Sequence, residues 1–276
     1  MNWKIFNVSI PVKDINKSKQ FYEMLLGKPI SSDNIFNKIF ENNDDCFFGK
    51  DGFGLRLYKP KPDLSLNSGI QSRRSFVTIL LSDIKTVKNN LKAKGYKYLF
   101  FDTKEYKKLL VQEPSLNLIQ FVESDKQLNQ SFDGYNFSFD WGIHHMNLES
   151  LDVRESVKFF TEIVGLSEGK WIAPKNKGNF SIDPKELSIF PISNDNKGLH
   201  IIKPDDGFGY RNNFSHNPSI SGHPAFTVKN LSNIIKKLES RNILFSDAKV
   251  YAMPGFHQIY LYDINANMLE INQAVK

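Results

Sequence analysis

The sequence predicts an α+β chain of tandem βαβββ units, grouped into two similar modules. Three observations lead there. A stretch near the N-terminus returns in the second half of the chain. Short strands of alternating polarity flank each copy. At 276 residues, with 40% hydrophobic and 13% aromatic side chains, the chain has material for two packed cores.

The repeat is read most directly from two helical stretches. DINKSKQFY at 14–22 returns as DVRESVKFF at 152–160. Asp14 and Asp152 are natural helix N-caps, because a short carboxylate can accept from backbone N–H groups that lack an intrahelical partner. Phe21, Tyr22, Leu25 and Leu26 recur at helical spacing, and a glycine, Gly27 or Gly165, ends each copy. A short strand precedes each Asp, 5–12 in one copy and 143–148 in the other.

A second pair of blocks follows the same plan. The strand beginning at Phe76 runs into a helix over Lys85–Lys94 that stops at Gly95; the strand beginning at Pro224 runs into Ser232–Ser240 and stops near Asn242. The closing strands match as well, LNLIQFV at 116–122 with ANMLEIN at 266–272. The modules are therefore 1–125 and 142–276, and the polar, aperiodic stretch 126–141 is the connector.

Composition excludes several classes. No apolar run approaches the roughly 20 residues needed to cross a bilayer, and the alternating N-terminus lacks the apolar block of a signal peptide. One cysteine, Cys46, leaves no internal disulfide and no cysteine-based zinc site. A cytoplasmic location and no membrane partner are the expectations. The formal charge of +6 comes from scattered lysines in the first half, such as Lys85, Lys88, Lys92 and Lys94, on the polar side of a helix. A nucleic-acid reader would carry a dense basic stripe, so no nucleic-acid partner is expected. A homo-oligomer is compatible with the composition.

The residues that carry chemistry lie in the second half. His145, His223 and Glu270 fall on three separate short strands, GIHHMNL (142–148), GHPAFTV (222–228) and NMLEINQ (267–273). Two imidazoles and a carboxylate leave about half of an octahedral ion open, the arrangement of non-haem Fe(II) oxygenases. The matching strands of the first half have no such set.

The blocks at 144–166, 222–231 and 259–273 resemble the vicinal oxygen chelate superfamily, also called the glyoxalase/bleomycin-resistance/dioxygenase fold, over essentially the whole chain. The resemblance implies paired βαβββ units curled into a cup-shaped mixed sheet, one per module. It also implies that His145, His223 and Glu270 are the metal ligands. The internal repeat assigns Asn7, Phe76 and Gln120 as their first-module counterparts, which makes the first module a degenerate scaffold. Ligands confined to the second of two modules resemble the extradiol ring-cleaving dioxygenases. The expected cofactor is one divalent ion, Fe(II) first, with Mn(II), Zn(II) or Ni(II) as substitutes. The expected partner is a small vicinally oxygenated, catechol-like substrate. A glyoxalase-like isomerase or lyase that uses no O₂ is the alternative, and a metal-free binding protein of the bleomycin-resistance type is the third.

In the resembling dioxygenases a Tyr stands ten residues before the Glu ligand, and Tyr260 matches it. Those enzymes also carry an acid–base His, whose position falls near Gly198; His200, two residues on, is the first candidate and His257 the second. That departure favours the alternative reaction class. Strand alternation sends His144 to the face opposite His145, as a packing or surface residue. His216 is expected in a solvated loop. Arg211 reads equally as an anchor for an anionic substrate or as half of a surface ion pair. The Gly-Phe-Gly stretches at 52–54 and 207–209 are expected as hairpin turns, since neither has the strand–helix context of a nucleotide loop.

Overall fold

The computed structural model describes residues 1–29, 39–40, 44–50, 52–60, 74–124, 140–171, 183–249 and 253–275. Most of the expected connector lies outside the described residues. Within them the chain forms two mixed sheets of seven strands each. The first contains β1 (Trp3–Pro11), β2 (Cys46–Lys50), β3 (Phe53–Tyr58), β4 (Phe76–Leu81), β5 (Tyr98–Asp102), β6 (Lys107–Gln112) and β7 (Leu118–Glu123), in spatial order β2-β3-β1-β4-β7-β6-β5. The second contains β8 (Trp141–Glu149), β9 (Leu187–Pro191), β10 (Gly198–Ile202), β11 (Pro224–Val228), β12 (Phe245–Lys249), β13 (Phe256–Tyr262) and β14 (Met268–Ala274), in order β12-β13-β14-β11-β8-β10-β9. The first unit of each module contributes three described strands, βαββ in place of the expected βαβββ; residues 30–38 and 172–182 lie outside the description.

The helices form where their caps dictate. Asp14 accepts from Lys17 N, Asp83 from Thr86 N, Asp152 from Glu155 N, and Asn230 from Asn233 N. Each places a side-chain oxygen on an N–H that the first turn cannot satisfy. The helix Ile15–Leu26 ends at Gly27 with φ 82°. The helix Val153–Lys158 widens into a π-helical turn, Phe159–Val164, and ends at Gly165 with φ 81°. The apolar faces of these helices join the sheet residues Val8, Ile10, Val77, Ile79, Met146, Leu148, Phe226 and Ile271 in one core running through both modules. Burial of such side chains at about 25 cal/mol per Å² supplies the main folding drive. The opposite face of each sheet is left to form the two cups. Among the described residues no helix is long and apolar enough to cross a membrane.

Two reciprocal polar clamps join the modules. The turn between β6 and β7 centres on Glu113, which accepts from Ser115 N and Asn117 N; its other oxygen accepts from Ser156 Oγ of the second module at 2.6 Å. The turn between β13 and β14 centres on Asp263, which accepts from Asn265 N and Asn267 N and from Tyr22 Oη of the first module at 2.9 Å. Asn117 Nδ2 donates to Glu149 O, and Asn267 Nδ2 donates to Pro11 O. Both turns pass through a left-handed residue, Leu116 (φ 65°) and Ala266 (φ 62°). The repeated serines of the sequence find their reason here. Ser156 meets Glu113, and Ser18 accepts from Asn265 Nδ2.

Replacing Asp263 with Ala leaves three donors without their acceptor, Tyr22 Oη, Asn265 N and Asn267 N, and removes one of the two bonds made by Asn267 Nδ2. Chemical denaturation is expected to show a loss of about 3 kcal/mol in a single transition shared by both modules.

Candidate metal centre

The centre is built on three adjacent strands. Ala225 of β11 pairs with His145 of β8 on one side and with Glu270 of β14 on the other. Strands lie about 4.8 Å apart, so the His145 and Glu270 backbones are roughly 10 Å apart. Their side chains bridge that gap over the Ala225 methyl, and His145 Nε2 comes within 3.5 Å of Glu270 Oε2. His223, two residues before Ala225 and so on the same face, brings its Nε2 to 3.9 Å from the same oxygen. One ligand atom from each of the three lies within 4.8 Å of the others, and all three residues are buried.

This donor set fits a divalent ion. Cis ligands at about 2.1 Å from an octahedral ion are about 3 Å apart, so the observed separations need only small side-chain closure. The Glu270 carboxylate is fastened by amides at one oxygen and faces the two ligand imidazoles with the other. Oε1 accepts from Gln258 Nε2 (2.9 Å) and Asn272 Nδ2 (2.7 Å), and Asn272 Oδ1 accepts in turn from Thr227 Oγ1 (2.6 Å). Burial alone would raise the Glu270 carboxyl. The adjacent His145 and His223 rings outweigh it and hold the group well below the usual carboxylate range. Burial pushes His223 down, toward the neutral imidazole that binds metal.

His144 is not where strand alternation put it. β8 carries a bulge: His145 pairs with Ala225 but Ile143 pairs with Phe226, so His144 is the extra residue. Its ring is buried, packs edge-on to Phe256 at 4.8 Å, and sets Nδ1 2.9 Å from His145 Nδ1. Burial, then the neighbouring His145 ring, lowers its pKa to about 3, so the ring is neutral.

A half-open cavity leads to the triad. His200 and Tyr260 line it with Trp171, Phe208 and Met253. The His200 ring stacks on His145 at 3.9 Å, and its Nε2 lies 2.6 Å from Asn196 O. A carbonyl only accepts, so Nε2 carries the proton and Nδ1 the lone pair. Burial, then the neighbouring His145 ring, keeps the ring neutral. The Tyr260 ring stands 6.0 Å from that of His223; burial and the Glu270 charge keep its phenol protonated.

Other candidates lie elsewhere. His257 points off the opposite face of β13 and pairs with Asp247 at 2.7 Å, so it is not brought to the site. Arg211 forms an ion pair with Asp205. His216 is buried rather than solvated, with Nδ1 2.8 Å from Ser246 Oγ. Gly52–Gly54 does turn the β2–β3 hairpin, but Gly207–Gly209 opens a single helical turn, Phe208–Arg211. Gly198 pairs with His145 and has φ 145°; a Cβ there would meet Phe190 O at 2.0 Å. No side chain can occupy that position. Gln258 and Asn272 are not marked by any sequence motif, although counting in twos from Glu270 and Tyr260 puts both on the cup face.

The first module repeats the frame without the donors. Asn7, Thr78 and Gln120 form the equivalent row across β1, β4 and β7, and β1 has the same bulge, at Phe6. Val122, Leu80 and Lys108 stand where Asn272, Thr227 and Gln258 support the carboxylate. Asn7 Oδ1, Thr78 Oγ1 and Gln120 Nε2 are buried without hydrogen-bond partners among the described residues.

No family model matches the chain, and no curated protein is similar to it in sequence. Solved structures are similar to it in fold. The 2,3-dioxygenase LapB from Pseudomonas sp. KL28 is 12% identical with a TM-score of 0.62, covering 100% of this chain and 92% of that one. The Mn(II)-bound glyoxalase from Novosphingobium aromaticivorans is 14% identical with a TM-score of 0.61, covering 99% and 82%. The 2,2',3-trihydroxybiphenyl 1,2-dioxygenase from Sphingomonas wittichii strain RW1 is 10% identical with a TM-score of 0.60, covering 99% and 90%. With two seven-stranded modules and these neighbours, the chain has the two-module vicinal oxygen chelate fold.

Proposed function

We propose that the chain is a mononuclear Fe(II) dioxygenase that opens a small catechol-like ring. The observation that carries the reading is the convergence of His145, His223 and Glu270 at the end of a cavity that also holds His200 and Tyr260. One carboxylate against a divalent ion leaves the centre one positive charge in excess, which suits a substrate bound as a monoanion through two oxygens. When bound, the ion lowers the pKa of those hydroxyls and, as iron, gives access to O₂ chemistry.

The chain's residues have distinct tasks in this reading. His200 is neutral with its lone pair on Nδ1, so it accepts a proton from a substrate hydroxyl and returns it later. Its Asn196 contact fixes the tautomer that makes this direction available. Tyr260 stays protonated and donates to a substrate oxygen. Trp171, Phe208 and Met253 exclude water and pack on an aromatic ring.

A glyoxalase-like reading draws on a different observation. Gly198 has no room for a side chain where the resembling dioxygenases carry their acid–base His. There the same triad would serve a Lewis acid, with no O₂ consumed.

His223→Ala is expected to weaken metal binding at least 100-fold, measured by titrating the metal-free protein with Co(II); unchanged affinity would refute the triad. Anaerobic loading with Fe(II), followed by O₂ uptake over a panel of catechols and hydroquinones, decides between the readings. One O₂ consumed per substrate supports the dioxygenase, whereas metal-dependent turnover of α-keto aldehyde adducts without O₂ supports the alternative. His200→Gln is expected to lower kcat about 100-fold with metal content unchanged.

A further inference from the structure

His144 is a buried group beside the triad that the proposed chemistry does not use. It does not line the cavity; it lies behind His145, and its closest polar contact is the Nδ1–Nδ1 pair at 2.9 Å. The bulge that carries it is present in both modules, but in the first it presents Phe6, packed edge-on against Phe53 at 4.9 Å. The fold therefore accepts a plain aromatic at this position. In the second module a buried imidazole stands there, and its outer Nε2 has no partner among the described residues. A buried polar atom left unsatisfied destabilises the fold, so the ring needs a compensating role.

Resting on the metal-binding reading above, the geometry points to His144 as the positioning residue that fixes the tautomer and orientation of the ligand His145. His145 turns Nε2 toward Glu270 Oε2, at 3.5 Å, so Nε2 is the atom offered to an ion. A neutral imidazole that donates its Nε2 lone pair to a metal carries its proton on Nδ1. That proton needs an acceptor, and His144 Nδ1 is in place to accept it. His144 then holds its own proton on Nε2. Metal-bound histidines in general donate their second nitrogen to a carboxylate, a carbonyl or water, and removal of that acceptor costs 10- to 100-fold in affinity. Here a second imidazole takes the part. The His200 ring, stacked on the face of His145, limits rotation from the other side.

Two variants and one spectrum test this. His144→Phe installs the residue its twin position already carries and removes the acceptor. His144→Asn returns an oxygen near the site of Nδ1. Co(II) titration of the metal-free proteins is expected to show His144→Phe bound 10- to 100-fold more weakly than wild type and His144→Asn within about 3-fold of it, with unfolding midpoints of the metal-free proteins alike. In Zn(II)-loaded wild-type protein labelled with ¹⁵N-histidine, His145 is expected to carry its proton on Nδ1 and His144 on Nε2. Equal Co(II) affinity for wild type and His144→Phe overturns the assignment. So does a spectrum with the His144 proton on Nδ1, whether or not either variant folds. Failure of wild type itself to bind Co(II) or Zn(II) refutes the triad, a result distinct from either of these.

Discussion

The second module is organised around a buried anion. Taking the Glu270 carboxylate out of water is costly unless every lone pair finds a partner, and the surrounding side chains meet that demand in two directions. Gln258 and Asn272 hold one oxygen; His145 and His223 face the other. The small Ala225 between the two outer strands is part of the same solution, since a larger residue would stand in the path of both reaching side chains. The features that make the site suited to a cation, charge, burial and a fastened carboxylate, are thus the ones that would be hardest to retain without a purpose.

The first module serves as an internal control for that view. Its backbone keeps the strand order, the bulge and the positive-φ glycine: Gly54 (φ 145°) pairs with Asn7 as Gly198 pairs with His145. Its side chains keep neither ligands nor support. Backbone geometry therefore does not by itself require a metal-binding set. The histidines, the glutamate and the amides around it are departures of the second copy from a shared frame.

Much of the frame was legible in the sequence because it rests on local rules. Asp caps, glycine stops and alternating strands are set by neighbours in the chain, and the repeat located its own counterparts: Asn7, Phe76 and Gln120 do occupy the register positions of the triad. What stayed hidden depends on interruptions of those rules. The bulge at His144 defeats a count by twos, because one extra residue turns a side chain meant for the helix layer toward its neighbour. The Asp247 contact that takes His257 away and the Ser246 contact that buries His216 come from residues distant in sequence. Gly198 looked like a missing histidine, whereas the backbone there excludes any side chain.

The paired clamps have a consequence for how the two halves know one another. Each module ends in an acidic turn whose carboxylate completes itself only on a hydroxyl from the other module, Glu113 on Ser156 and Asp263 on Tyr22. Neither half alone can satisfy its own turn. A chain severed between the modules would leave two fragments, each with an acidic turn lacking its hydroxyl partner, and their reassembly from separate polypeptides would restore both contacts.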